Sequence, residues 1–211
     1  MALFHLATLT PTKADAIAAW APTQPWGFGG DVPINLIGSF RFDDPHGRVG
    51  LETHLVDAGG VLYQVPLTYR DEPLEGSDDA LVCEMHHSAL GTRWVYDGFR
   101  DPQFVLMLAA VTMTGQGEAL GLAVFDGRWY IAPAAVRIQG GGWTQARVAV
   151  DGFEIVSDED MQVTLRNDRF ELVAHRTPTP GPRAPIALSA TWDTQSEPVI
   201  LATLTEFEHA T

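Results

Sequence analysis

Residues 62–102 read LYQVPLTYRDEPLEGSDDALVCEMHHSALGTRWVYDGFRDP, and this stretch decides the fold. Its first residues alternate between apolar and polar side chains, which indicates a half-buried β-strand. The odd-numbered residues from Tyr63 to Tyr69 share one face of that strand, and Gln64 and Thr68 lie on the other. The stretch therefore begins with a strand that packs one apolar face against a core.

The second half of this stretch predicts a strand pair followed by a helix. Strands are expected over Leu81–Ser88 and Thr92–Asp97, on either side of the turn residues 89–91. Asp101 and Pro102 then supply an N-cap and a proline at the first helical position. The apolar segment that follows predicts a helix buried against the sheet and ended by the glycines of residues 115–117.

The remainder of the chain is rich in short strands and tight turns. A first helix is predicted from Thr12 to Trp20, with Asp15 completing a capping box. Asp-Gly pairs at 126–127 and 151–152 and the Asn-Asp pair at 167–168 indicate hairpin turns. Further strands are expected over 2–9, 35–42, 48–57, 119–126, 128–136, 147–150, 153–157, 162–165, 170–175, 186–192 and 199–206. This order predicts an α+β fold with a predominantly antiparallel sheet and two or three helices.

Prolines and glycines predict where strands are interrupted and where loops and linkers lie. Pro66 lacks a backbone N–H, which favours an edge strand or a bulge for the strand that contains it. The Pro- and Gly-rich residues 21–33 predict a surface loop with Trp26 and Phe28 exposed. We expect a single domain over residues 1–211, with a subdomain break near 115–118 and a Pro-rich linker at 177–185.

Charge and cysteine content exclude several classes of protein. The formal net charge is −14, and the 13 basic residues are one lysine, Lys13, and scattered arginines. This argues against binding to nucleic acids or to anionic membranes, which need clustered cations. The single cysteine, Cys83, excludes an internal disulfide, and the N-terminus lacks a signal-peptide pattern. We expect a cytoplasmic protein; the sequence leaves its oligomeric state open.

The adjacent histidines are the first candidates for a metal site. Strand alternation places Glu84 and His86 on one face and His87 on the other, so neither face offers more than two ligands from this segment. A polar strand face is the simpler interpretation. We therefore predict no metal and no cofactor.

A candidate ligand-binding set lies in the same region and consists of His86, Arg93, Trp94, Tyr96 and Asp97. Such a set can hold a sugar or another small molecule, through ring stacking and carboxylate–hydroxyl hydrogen bonds. The competing interpretation is two core aromatics beside a surface ion pair of Arg93 with Asp97 or Glu84. No catalytic residue is assigned, because no nucleophile elbow, phosphate loop or carboxylate pair stands out. Lys13, before a short helix, is also poorly placed for phosphoryl transfer.

The segments YQVPLTYR at 63–70 and DDALVCEMHHSALGTRWVYDGFRDP at 78–102 resemble the N-terminal cap region of actinobacterial maltokinases. The chain is also similar to stand-alone actinobacterial proteins with a maltokinase cap-like domain. The resemblance implies a cystatin-like, curved sheet packed on a helix. The kinase body's catalytic-loop aspartate and metal-binding acidic triplet have no counterpart here. Some such proteins carry an α-glucan branching label, but 211 residues cannot hold that enzyme's barrel.

This resemblance implies a non-catalytic, cap-like accessory protein linked to maltose, trehalose or α-glucan metabolism. It would bind a partner protein, such as a sugar kinase, or a carbohydrate. The alternative is a small enzyme or small-molecule-binding sheet protein with a pocket near His86, Arg93, Trp94 and Tyr96. A third interpretation is a dimerisation module, which would show a large apolar patch at a sheet edge.

Overall fold

The computed structural model describes residues 2–4, 7–132, 134–142, 147–181 and 186–207. Residues 182–185 of the predicted Pro-rich linker lie outside the described residues. Two α-helices are described, α1 (Lys13–Trp20) and α2 (Pro102–Thr114). The strands in chain order are β1 (Ala2–Phe4), β2 (Leu9–Thr10), β3 (Ile34–Phe42), β4 (Gly50–Ala58), β5 (Val61–Arg70), β6 (Leu81–His87), β7 (Gly91–Asp97), β8 (Gly121–Phe125), β9 (Arg128–Ala132), β10 (Val136–Gly140), β11 (Glu154–Glu159), β12 (Gln162–Arg166), β13 (Phe170–His175), β14 (Ala187–Trp192) and β15 (Gln195–Glu206).

These strands form three sheets. The first has six strands in the order β2-β6-β7-β5-β4-β3, and the second has six in the order β10-β14-β15-β13-β12-β11. The third is small, in the order β1-β8-β9, with β1 parallel to β8. Every other pairing is antiparallel. The predicted α+β class, with curved, mostly antiparallel sheets and two helices, is confirmed.

Both helices begin where their capping residues predict. Thr12 and Asp15 form the capping box of α1, since the Thr12 side chain accepts from the Asp15 amide and Asp15 accepts from the Thr12 amide. The Asp101 side chain caps α2 by accepting from the Gln103 amide, with Pro102 at the first helical position. Gly115 ends α2 in the left-handed conformation at φ 67°, which glycine adopts without strain.

The first sheet has an apolar core on each face. α2 packs on one face in a core that also contains side chains of the second sheet, such as Leu172 and Leu204. α1 packs on the other face, where the odd-numbered residues from Tyr63 to Tyr69 are buried as predicted. The single-domain organisation and the break near residues 115–118 stay predictions. Within the described part of the chain, no helix is long and apolar enough to cross a membrane.

Two ion pairs join the start of α2 and the end of β13 to the first sheet. The Asp101 carboxylate accepts from Arg70 through both oxygens at 2.7 Å, which ties the start of α2 to β5. Arg176, after β13, donates to Asp97 of β7 at 2.6 and 3.2 Å. The Arg176 guanidinium carbon lies 4.3 Å from the Trp26 ring centroid and 4.6 Å from that of Phe99. Arg176 and Asp97 are both buried, so their pairing fixes geometry without access to water, whereas Arg70 stays partly exposed beside the buried Asp101.

The predicted exposure of Trp26 and Phe28 is wrong. Both side chains are 6% exposed and belong to the core beneath α1. Trp26 packs edge-on against Trp20 with centroids 5.3 Å apart, and Phe28 packs against Tyr63 at 5.2 Å. The eight residues of α1 cover only part of the apolar sheet face, so the Pro- and Gly-rich loop supplies the remaining cover.

The predicted edge position or bulge at Pro66 is also wrong, because β5 is an inner strand whose pairing with β4 is continuous. The β5–β7 ladder covers only Leu67–Arg70. The Gln64 amide donates to the Arg176 carbonyl on the side away from β4. The Pro66 nitrogen faces the same side, since alternate residues point alike. Its missing N–H therefore falls just beyond the end of the ladder and removes no bond from it.

The hairpin turns are confirmed at two of three positions. Asp126-Gly127 joins β8 to β9, and Asn167-Asp168 lies between β12 and β13. The turn predicted at Asp151-Gly152 does not join two strands, because residues 147–150 form no strand. Val148 and Val150 nevertheless pack against the larger core, which explains the strand-like alternation of this segment.

Candidate functional site

A cleft of about 520 Å³ opens at one end of the first sheet, on the face that carries α1. The start of α1, the end of β3, the loop from 43 to 49 and the β6–β7 hairpin surround it. Its polar lining comprises Lys13, Arg41, Asp43, Asp44, Arg48, Tyr69, Asp71, His87 and Arg93. Its apolar lining includes Leu9, Phe42, Val49, Leu51, Met85 and Leu90. This volume is within the range of small-molecule sites, roughly 300–1,000 Å³.

Two buried ionisable side chains of β4 lie beneath the cleft. Glu52 and His54 are each 3% exposed and, two residues apart on a strand, face the same side of the sheet. The Glu52 carboxylate and His54 Nε2 are 3.9 Å apart. His54 Nε2 lies 3.2 Å from the Tyr69 hydroxyl, within hydrogen-bonding distance. Glu52 and His54 do not line the cleft themselves, but through Lys13 and Tyr69, which do, they form a polar cluster connected to it.

Lys13 joins this cluster to the cleft. As the first residue of α1 it is positioned by the Thr12 cap, and its Nζ donates to Glu52 Oε2 at 2.5 Å. The same Nζ lies 5.6 Å from the centroid of the Tyr69 ring. Ser39 Oγ donates to the other Glu52 oxygen at 2.9 Å, and Arg41 Nε is 3.9 Å from Oε2. The only lysine of the chain thus neutralises a buried carboxylate.

The charges in this cluster shift the pKa values of its members. Burial would raise the pKa of Glu52, but the positive charges of His54, Lys13 and Arg41 outweigh it and hold that pKa at about 2. Burial lowers the pKa of His54 to about 4, in spite of the opposing charge of Glu52. Burial, aided by the Glu52 charge, raises the pKa of Tyr69 well above its ordinary value. At neutral pH the cluster contains an ionised Glu52, a neutral His54 and a protonated Tyr69.

The rim is shaped by a loop that Asp44 organises. Its carboxylate accepts from the backbone N–H groups of His46, Arg48 and Val49 at 2.7–3.1 Å. Burial alone would raise the pKa of Asp44. The hydrogen bonds stabilise the carboxylate more strongly, so its pKa is lowered. Arg48 lies 3.8 Å from Asp71 across the cleft mouth. Both cations and carboxylates therefore line the cleft.

This arrangement suits a neutral ligand with many hydroxyl groups. Each sugar hydroxyl both donates and accepts, so it can pair with guanidinium donors and carboxylate acceptors in one site. Leu9, Val49 and Leu90, which are at least partly exposed, add apolar surface beside them. In the described ranges, no group of three or more His, Cys, Asp and Glu side chains is arranged to hold a metal ion.

The five candidate site residues do not converge on one place. Arg93 lines the cleft beside Met85, its cross-strand partner, and the neighbouring His87 lines it as well. His86 and Trp94 lie on the opposite face of the sheet, as the strand register requires. Ligand binding by this set stays a prediction, with Arg93 the member that reaches the cleft.

The two remaining candidates are engaged within the fold. Tyr96 is 2% exposed, and its hydroxyl accepts from the Leu74 amide at 2.9 Å. Asp97 is also 2% exposed and is the partner of Arg176. Their side chains bind other segments of this protein.

The sequence-based search missed Lys13, Glu52, His54 and Tyr69 as one cluster. One signal was available: Glu52 and His54 are ionisable residues at alternate positions of a strand otherwise suited to burial. Two such residues on one buried face need partners, since an isolated buried charge is costly. The identity of the partner was not available, because Lys13 is 39 residues from Glu52.

Comparison with known proteins shows that part of this chain matches a protein-family model. Residues 20–101 match the model of the maltokinase N-terminal cap domain. This range contains β3 to β7 of the first sheet but not β2. No curated protein matches the chain. The matched range includes Glu52, His54, Tyr69 and Arg93, whereas Lys13 precedes it. The resemblance expected from the sequence is thereby confirmed: residues 20–101 of this chain are similar to the maltokinase N-terminal cap domain.

Proposed function

We propose that this chain is a non-catalytic, cap-like accessory protein of maltose, trehalose or α-glucan metabolism that binds a neutral carbohydrate in the cleft. The observation that carries the proposal is that Arg48, Asp71 and Arg93 line one cleft together with Lys13 and Tyr69. The cap-domain match supports the metabolic setting. We expect the protein to act in the cytoplasm.

The charge balance of the cleft favours a neutral ligand over an anionic one. Lys13 forms an ion pair with Glu52. The Arg48 guanidinium lies 3.8 Å from the Asp71 carboxylate and 3.6 Å from that of Glu72. A phosphate or carboxylate ligand would have to displace these carboxylates from their cations. A neutral sugar can add hydrogen bonds to the same groups without breaking their pairing.

Neither Glu52 nor His54 is suited to act as the acid of glycoside hydrolysis. A glycosidase needs one carboxylic acid that stays protonated near neutral pH, to donate to the leaving group. Glu52 has a pKa of about 2 and is ionised there. His54 is neutral and closed off from solvent beneath the cleft floor.

Calorimetric titration tests this proposal. Maltose, trehalose and glycogen are titrated into the native chain, the cleft variant Arg93→Ala and the matched variant Arg128→Ala, whose arginine is exposed on β9. We expect micromolar to millimolar affinity in the native chain, weakened about tenfold or more by Arg93→Ala and unchanged by Arg128→Ala. An absence of heat with all three carbohydrates would overturn the proposal.

A sugar-kinase partner is the second candidate function, and the cap-domain match favours it. Purified sugar kinases are passed over the immobilised native chain, and bound kinase is quantified with and without maltose. Retention of a kinase supports this function. Sugar binding without kinase retention would support only the carbohydrate proposal.

The variant His86→Ala separates the cleft from the pocket predicted earlier around His86, Arg93, Trp94 and Tyr96. His86 lies on the sheet face opposite the cleft. The proposal predicts unchanged carbohydrate affinity for His86→Ala. A loss that equals the loss in Arg93→Ala would instead favour a site built from the predicted residues.

A further inference from the structure

Several cations of this acidic chain line the one cleft described above. They are Lys13, Arg41, Arg48 and Arg93. The whole chain has only 13 lysines and arginines and a formal net charge of −14, so this is a marked local concentration of positive charge. Cations gathered in a cleft attract anions unless nearby carboxylates neutralise them. The carboxylates around the cleft therefore decide which ligands can enter.

Among the residues that the structure describes, the carboxylates that line the cleft do not balance its four cations. Asp43, Asp44 and Asp71 are the three that line it. Glu52 supplies a fourth carboxylate from beneath, since it is 3% exposed and does not line the cleft. With the histidines counted as neutral, the cleft and Glu52 together have no net charge. Removing the charge of Glu52 would therefore leave the cleft with an excess of one cation.

Glu52 is held against two of these cations. Its Oε2 accepts from Lys13 Nζ at 2.5 Å and lies 3.9 Å from Arg41 Nε. Its Oε1 accepts from Ser39 Oγ at 2.9 Å, so both carboxylate oxygens are fixed. Lys13 and Arg41 line the cleft and are 31% and 23% exposed, whereas their shared counter-ion is buried. An anion that entered the cleft would therefore meet cations that already have a fixed carboxylate beside them.

We propose that Glu52 is a positioning residue that makes the cleft select neutral sugars over phosphorylated ones. It acts through Lys13, whose ammonium group it holds and neutralises, and it does not touch the ligand. A phosphate group near Lys13 would also lie near the Glu52 carboxylate, and salt screens the repulsion from a buried charge only weakly. The choice of a sugar as the ligand rests on the proposed function, whereas the rejection of anions rests on Glu52.

Calorimetric titration with inorganic phosphate tests this proposal. The variants are Glu52→Gln and the double variant Glu52→Gln with Lys13→Met. Glu171→Gln is the matched control, because it removes the same charge from a pair with Arg166 that does not line the cleft. Phosphate affinity should rise about ten- to a hundredfold in Glu52→Gln relative to the native chain, which is the range of one charge-assisted hydrogen bond. The double variant should lose this gain, and the control should not show it.

A native chain that binds phosphate as tightly as Glu52→Gln would overturn the proposal. A folded Glu52→Gln without the gain, or a double variant that keeps it, would do the same. Should Glu52→Gln fail to fold, the native chain still gives a test. Lys13 is the only lysine, so selective isotope labelling of the lysine ammonium nitrogen reports on this group alone.

Phosphate at concentrations up to about 10 mM should leave the Lys13 ammonium signal of the native chain unmoved. A shift of that signal would overturn the proposal. The titrations with phosphate and with maltose are separate measurements. Loss of maltose binding with the phosphate results as expected would overturn only the proposed function, and the reverse outcome would overturn only the role of Glu52.

Discussion

Lys13 Nζ donates to the Glu52 carboxylate at 2.5 Å, and this bond joins the start of α1 to the centre of β4. Lys13 is partly accessible from the cleft, whereas Glu52 is buried. The pair is therefore both a structural contact and part of a binding surface. Removing one member should leave the other charge uncompensated, with consequences for stability that can be measured.

The variant Lys13→Met should destabilise the protein by about 1–3 kcal/mol, less than the loss of a fully buried partner because Lys13 is partly solvated. Glu52→Gln should cost a similar amount. The double variant should recover part of the loss, since it leaves no unpaired charge. Urea denaturation of the four proteins gives the coupling energy. Additive losses would show that the two charges do not interact.

Acid should destabilise the protein through His54. The pKa of His54 is about 4 in the folded state, below its ordinary value of 6.5, so only the unfolded state takes up the proton between these values. Stability should therefore fall as the pH drops from 6.5 to 4, by up to about 3 kcal/mol. Glu52, with a folded pKa of about 2, adds a further loss below pH 4.5.

Denaturation of His54→Gln between pH 7 and 4 checks this prediction. The variant should show a shallower pH dependence than the native chain. His175→Gln is the matched control, because burial lowers the pKa of His175 in the same direction but that side chain is less buried. Identical slopes for the native chain and His54→Gln would contradict the assignment.

The Arg176–Asp97 pair should contribute more to the free energy of unfolding than a surface pair of the same chemistry. Arg176 is inaccessible to solvent and its ring contacts hold it in place. Arg176→Met should leave Asp97 buried and unpaired, which costs about 3–5 kcal/mol. Arg166→Met, which breaks an exposed pair with Glu171, should cost about 0–1 kcal/mol. Thermal unfolding of both variants measures the difference, and equal losses would contradict the proposed role.

α2 approaches β10 so closely at Gly140 that a side chain there would clash with the helix backbone. A Cβ at Gly140 would lie 1.9 Å from the Val111 carbonyl oxygen, so backbone must move to admit it. Gly140→Ala should destabilise by about 1–3 kcal/mol or more. Gly29→Ala is the control, because its Cβ would meet only Val32 at 3.6 Å. If chemical denaturation finds the two variants equally stable, the packing is looser than described.

Local patterns were sufficient to predict most of the fold. The caps at Thr12 and Asp101 and the turn at Asp126 are set by neighbouring residues, so the sequence identifies them directly. Pro66 and Trp26 were misplaced because their surroundings come from distant segments. Pro66 is placed by where the β5–β7 ladder ends, and Trp26 by contact with Arg176.

The candidate site was less predictable for the same reason. Arg93 was identified within a single strand, whereas the cleft needs contributions from α1, β3, β4, β5 and the β6–β7 hairpin. Asp97 was predicted to bind a ligand, yet its partner in the structure is an arginine 79 residues away. Pairing between distant charges follows from topology, which strand periodicity does not encode.

Carbohydrate binding in the cleft is tested most directly by amide chemical-shift mapping of the native chain during titration with maltose and trehalose. At sugar concentrations up to about 10 mM, we predict shifts that cluster at the Asp44 loop, Tyr69 and Arg93, with the remote β11 amides unmoved. Shifts centred on His86 and Trp94, or no shifts with either sugar, would contradict the account.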